Sequence, residues 1–190
     1  MNTPAHLLVA LALLSKRKQQ KRNIAVVVGA LLPDFSIFVF YFNAKLIEGL
    51  AEREIWREAY WTEPWQTISA ISNSVPLALV VFAVGVWRKS AVVSVFALAL
   101  LIHFALDFPL HADDAHRHFW PLTDWRFFSP LSYWNSDHGG GIGAGIEIIA
   151  ISIASLILWR RFATWSVRLA IAITAILYFA AGLYFSFAFS

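Results

Sequence analysis

The sequence predicts an all-α polytopic membrane helix bundle, with about five transmembrane helices and one short N-terminal helix. It reads as a single integral membrane domain over residues 1–190. Three observations predict this. The chain is 59% hydrophobic and only 14% charged, where soluble domains average about 25% charged. Apolar segments of helical length follow one another along the whole chain. The basic residues collect in alternate connections between those segments, as membrane topology demands.

Taken in order, Thr3–Leu14 has Pro4 at a first helical position and Thr3 as its expected N-cap. It reaches about 18 Å at the helical rise, short of a hydrocarbon core about 30 Å thick. Asn23–Phe42 is long enough to span, with Pro33 interrupting it. Trp65–Trp87 spans and carries Ser69, Ser72, Asn73 and Ser74 in its first half. Ala91–Leu110 spans and stops at Pro109. Ile142–Trp159 and Val167–Ala188 read as simple apolar spans.

Lys16, Arg17, Lys18, Lys21 and Arg22 follow the first segment, Arg88 and Lys89 the third, and Arg160, Arg161 and Arg168 join the last two. These connections hold ten of the fifteen Lys and Arg residues, so their side is predicted to be cytoplasmic. Asn43–Pro64 and His111–Gly141 then face outward. The first has Leu46, Leu50, Ile55 and Trp56 at helical spacing and reads as an amphipathic surface helix. The second contains FWPLTDWRFFSPLSYWN, expected along the outer interface, with Asp124 and Arg126 paired to each other. The first basic run follows an apolar segment instead of preceding one, unlike a cleavable signal peptide. The net charge of +3 is explained by these boundary clusters and points to no nucleic acid partner.

The informative residues are ionisable groups inside apolar surroundings. His103 and Asp107 are four apart within Ala91–Leu110, so a helix points both the same way. Such groups cost several kcal/mol each in a membrane and face a protein interior with partners. His6, Asp34, Asn73 and its serines, His103 and Asp107 all fall toward the predicted outer side. The segment HADDAHRH, with His111, Asp113, Asp114, His116 and His118, emerges there. His138 lies in DHGGG, and Glu147 is one more intramembrane carboxylate. With no cysteine in the chain, disulfides, thiolate ligands and a Cys nucleophile are removed. His, Asp and Glu donors suit zinc, manganese, iron or magnesium.

Each residue also has a plainer reading. His103 with Asp107 can be one interhelical hydrogen bond, and Asp34 the cap of a helix broken at Pro33. HADDAHRH can be a solvated loop, and His138 a polar cap at a helix entry.

The motifs AHLL, GALLPD at Gly29–Asp34, a polar pair opening the third helix, HxxxD at His103–Asp107 and a Pro- and Trp-bearing loop occur in that order. Together they resemble a family of membrane-bound metal-dependent hydrolases that includes a LexA-regulated bacterial inner-membrane protein. That family is in turn distantly similar to the all-helical zinc-dependent phospholipases C. The likeness covers roughly residues 1–140. It implies a multi-pass protein of the bacterial inner membrane holding one or two divalent metals, zinc before manganese. The ligands would come from His6, Asp34, His103, Asp107, His111, His116 and His138. Asp113, Asp114 or Glu147 would serve as the base. The implied substrate is a lipid-linked or amphiphilic (phospho)ester near the outer leaflet, with membrane lipid as the partner. Asn73 stands where that family carries a histidine. Either the loop imidazoles complete the site, or it has lost metal and activity. Two other classes stand beside this one: a cation- or proton-coupled transporter, with its broken helix at Pro33, and a non-catalytic adaptor glued by the same polar groups.

Overall fold

The computed structural model describes residues 1–188, with side chains to residue 180. Among the described residues all regular structure is helical. The helices are α1 (Thr3–Leu14), α2 (Gln20–Phe42), α3 (Glu52–Arg57), α4 (Glu63–Ser72), α5 (Val75–Trp87), α6 (Ala91–Asp107), α7 (Gly140–Arg161) and α8 (Trp165–Ala188). Three stretches are long and apolar enough to cross a membrane: Gln20–Ile47, Glu63–Trp87 and Gly140–Arg161. Thr3–Leu14, Ala91–Asp107 and the described part of the last helix, Trp165–Ala180, are apolar but shorter. Among the described residues, three of the five expected spans are matched at full length, and the last, Val167–Ala188, extends past the residues whose side chains are described.

The short α1 lies at the centre, where it packs on α2, α6, α7 and α8. It joins an α2/α5/α6 group to the α7/α8 pair. Ala5, His6, Leu8, Ala10 and Ala12 are all buried, so almost every face of this helix is covered. Its N-cap position belongs to Asn2, not Thr3, and makes no side-chain cap bond. Asn2 instead donates Nδ2 to Glu147 Oε2 at 3.2 Å, which takes its side chain away from the helix start.

Small residues set the closest approaches, as in membrane bundles generally. A Cβ on Gly29 would collide with the Phe96 carbonyl oxygen and lie 2.9 Å from Ala99 Cβ, so the backbones of α2 and α6 meet closely here. A Cβ on Gly85 would lie 2.7 Å from Ser94 N, where α5 crosses α6. Ala10, Ala25, Val26, Ala30, Val95 and Ala99 form the small-residue core between α1, α2 and α6.

Several expected boundaries change. Helix α2 runs unbroken through Pro33. The Pro33 carbonyl accepts from Ser36 Oγ at 3.0 Å. Asp34 is therefore a mid-helix residue and caps nothing. The third apolar segment divides at Asn73 into α4 and α5, because Ser74 caps α5 through Leu77 N at 3.2 Å and Pro76 sits in its first turn. The surface segment after α2 is three short pieces instead of one helix: a π-helical turn at Asn43–Ile47, α3, and a 3-10 turn at Ala59–Trp61. Gly49, at φ 71°, stands between the first two.

The basic connections act on helix ends. Arg161 donates to Ser15 O at 2.9 Å and Leu11 O at 3.2 Å, and Arg22 to Leu14 O at 3.0 Å. These cations satisfy carbonyls left open at the C-terminus of α1 and match its dipole. Residues 108–139 form an ordered cap over the opposite end. Val75 N donates to His118 O at 2.8 Å, Ser129 N to His111 O at 3.0 Å and Tyr133 N to Leu110 O at 3.1 Å.

The expected Asp124–Arg126 pair does not form. Asp124 binds Arg117 at 3.0 Å, while Arg126 reaches Gln66 Oε1 at 2.9 Å and Ala115 O at 2.7 Å. Folding brings α4 beneath the loop and offers Arg126 these acceptors.

Candidate metal centre

Asp107 is the hub. The last turn of α6 holds it with His103 on one face, and the turn after α6, with Leu110 N bonded to Asp107 O at 2.9 Å, brings His111 to the same side. Its Oδ2 lies 3.0 Å from His103 Nε2. Its Oδ1 lies 2.9 Å from His6 Nε2 and 3.3 Å from His111 Nε2. The Met1 ammonium approaches the same Oδ1 at 2.7 Å.

Each histidine is held by a different device. His103 Nδ1 faces the Ala30 carbonyl oxygen at 2.9 Å. That contact requires the close α2–α6 approach at Gly29 and sends Nε2 toward the carboxylates. Asp34 Oδ1 stands 3.5 Å from that Nε2. The His6 ring stacks on His103, with centroids 3.6 Å apart and 11° between planes. His111 Nδ1 faces Asp114 Oδ1 at 3.0 Å. His116 lies against His111, with centroids 4.9 Å apart, and its Nδ1 is 3.4 Å from Ser69 Oγ.

Two sets of three donors result: His6, His103 and Asp107, and Asp107, His111 and His116. Within each set the donor atoms lie within 4.8 Å of one another. Asp107 belongs to both. His6 Nδ1, Asp34 Oδ2, His103 Nε2, His111 Nδ1 and Asp114 Oδ1 are buried with no well-formed hydrogen bond. Buried polar atoms are ordinarily satisfied, so this concentration of open donors and acceptors fits a cation. The set contains nitrogen and carboxylate oxygen only, as zinc or manganese accept.

The remaining candidates sit elsewhere. Glu147 is fully buried on α7 and accepts from Asn2 N at 3.1 Å, fastening the N-terminal segment. Asp113 and His138 pair with each other at 3.2 Å on the exposed rim, outside both donor sets. The intervening loop turns Asp113 outward, where it also accepts from Asn135 Nδ2 at 2.6 Å. His118 faces Asn73 O at 3.0 Å and ties the loop to the α4–α5 junction. Asn73 donates Nδ2 to Ser69 O at 3.0 Å, and its Oδ1 is buried without a partner.

The loop groups have shifted acidities. Burial alone would lower His111, but the carboxylates of Asp114 and Asp107 outweigh it and raise its pKa to about 9. Burial would raise Asp114, yet the facing His111 holds it at about 2. Burial, reinforced by His111 and His118, lowers His116 to about 3 and favours its neutral, ligating form.

A cavity of about 590 Å³ opens beside the donors. Asp34, Asn73, His111, Asp114 and His116 line its polar wall. Phe40, Trp56, Tyr60 and Trp65 line an aromatic one. Sequence reasoning missed the Met1 ammonium and the Ala30 carbonyl as neighbours of the site. Backbone groups carry no pattern of their own, and only helix packing delivers them. No family model, curated protein or solved structure matches this chain.

Proposed function

We propose that this protein is a membrane-embedded metal-dependent hydrolase acting on a lipid-linked or amphiphilic (phospho)ester near the outer leaflet of a bacterial inner membrane. One observation carries the reading: two buried donor sets share Asp107 beside a cavity with one polar and one aromatic wall. His6 and His103 would hold one divalent cation with Asp107, and His111 and His116 a second. Zinc is the first candidate and manganese the alternative. When bound, such a cation polarises an ester or phosphoryl oxygen and supplies a water nucleophile at neutral pH.

The chain's own residues do the rest. Asp114 orients the His111 ring through Nδ1, as carboxylates behind metal-ligating histidines do. It also lines the cavity, which makes it the best placed of the three base candidates to take a proton. Asp34 stands ready as a further oxygen donor behind His103. Glu147 keeps the N-terminal segment seated, and Asp113 serves the rim.

A second reading is favoured by the Met1 ammonium, which already neutralises Asp107 at 2.7 Å. In that reading the cluster is an ion-pair network holding the bundle, and the protein is a non-catalytic adaptor. Elemental mass spectrometry of detergent-purified protein separates the two. The hydrolase reading expects zinc or manganese in the wild type and its loss from a folded His103→Ala/Asp107→Ala variant. Absence of metal after incubation with zinc, together with poor folded yield of Asp107→Ala, would favour the adaptor.

A further inference from the structure

The cavity runs from the donor cluster to the outer surface of the bundle. Its polar wall carries two buried acceptors with no hydrogen-bond partner, Asp34 Oδ2 and Asn73 Oδ1, beside the His111–Asp114 pair. Away from that wall the lining is mostly hydrocarbon and aromatic, including Leu7 of α1, Leu31 and Ile37 of α2, and Trp65 of α4, with Thr3, Ser36 and Thr174 among them. Two lining residues mark the mouth. Phe38 on α2 and Leu177 on α8 both border the cavity, yet each stays 54% exposed. Phe38 belongs to a stretch long and apolar enough to cross a membrane. Its neighbours Phe35 and Phe42 are exposed too, so hydrocarbon is the medium that meets this face. The opening between α2 and α8 therefore faces sideways into the bilayer. A volume of about 590 Å³ lies in the range that encloses one small ligand. It accommodates one chain with its linking group, and a second chain would remain in the lipid.

We propose that this cavity takes a single hydrocarbon chain of a membrane lipid, entering sideways between Phe38 and Leu177, with the chain's ester or phosphate end against His111, Asp114 and His116. Apolar chain on an apolar wall gains dispersion contacts that the bilayer also supplies. Selection therefore comes from the polar end, where Asp34 Oδ2 and Asn73 Oδ1 stay unpaired until a cation or a headgroup donor reaches them. Identification of this chain as the substrate's tail rests on the hydrolase reading; binding of the chain does not.

The test is photolabelling of the full-length protein in nanodiscs with a long-chain fatty alcohol carrying a mid-chain diazirine, whose hydroxyl can donate to Asp34 or Asn73, after metal removal with a chelator. Labelled residues are mapped by peptide mass spectrometry. The proposal expects label on Leu31, Ile37 and Trp65, competed by a single-chain lysophospholipid. It also expects about tenfold less label on these residues in Leu177→Trp, with unchanged thermal stability and metal content. Phe38→Trp, at the opposite side of the mouth, gives the same loss and covers a folding failure of the first variant. Label confined to the outward residues Phe35, Phe42 and Ile173, equal in wild type and both variants, overturns the proposal even if the protein binds zinc. Cavity label in a protein that never takes up metal upholds the chain site and removes the hydrolase reading instead.

Discussion

His6 and His103 come from helices 97 positions apart in sequence numbering, and their rings stack 3.6 Å apart with each Nε2 on a different oxygen of Asp107. Two imidazoles facing opposite oxygens of one buried carboxylate is an arrangement that serves a cation as readily as a proton. It also makes the donors of the two sets separable by mutation.

Single substitutions should divide the metal content. His103→Ala is expected to remove the ion of the first set only, and His116→Ala that of the second only, whereas Asp107→Ala removes both because both sets use it. Metal-to-protein ratios of the three folded variants check this. Equal losses in all three would mean one site, not two.

Gly29→Ala should destabilise the bundle by about 1–3 kcal/mol, the usual range for overpacking. The added methyl meets the Phe96 carbonyl oxygen, which belongs to backbone and cannot swing aside. The same displacement moves Ala30 O from His103 Nδ1, so metal affinity should fall with thermal stability in detergent melts. Gly141→Ala is the control, since nothing lies within 4 Å of its Cβ position.

The His111–Asp114 pair predicts a pH signature in the metal-free protein. The folded pKa of His111 is raised from 6.5 to about 9, so its contribution is complete below 6.5 and disappears as pH rises through about 9. Asp114 is depressed from 3.8 to about 2, so its contribution is present above 3.8 and disappears as pH falls through about 2. Buried neutral His116 works the other way on the acid side. Its folded pKa of about 3 makes the protein lose stability as pH falls below 6.5. Thermal melts from pH 5 to 10 should show the alkaline loss in wild type and a flatter alkaline limb in Asp114→Asn.

Glu147→Gln should loosen the N-terminal segment without altering the rim. Glu147 accepts from both Asn2 N and Asn2 Nδ2, and an amide retains only one acceptor oxygen. Faster hydrogen exchange over residues 2–8 is expected, with Asp113 and His138 peptides unchanged. Equal exchange in both regions would show that Glu147 does not anchor the segment.

Topology should follow the Lys and Arg bias. A reporter placed in the Arg88–Lys89 turn is expected to read as cytoplasmic and one within residues 122–126 as external. The reverse assignment would turn the cavity and the donor cluster toward the cytoplasm.

Much of this was legible in residue order. Composition and apolar run length give a helical membrane bundle, since only helices satisfy their own backbone without water. The i,i+4 spacing of His103 and Asp107 places them on one face before any packing is known. Pro109 marks the end of α6, whereas Pro33 stops nothing and helix α2 runs through it, and Ser74 with Pro76 divides a segment that reads as one span. Long-range partners left no such trace. That His6 meets Asp107, that Asp34 comes near His103 instead of capping, and that Arg126 binds Gln66 instead of Asp124 all depend on which helices touch. The short α1 shows the reason most clearly. Its length excludes an independent span, and its apolar composition is the same for a surface helix or a buried one. Its central place follows from Ala and Gly faces on α2 and α6 that leave room for it, a property of three helices together and of none alone.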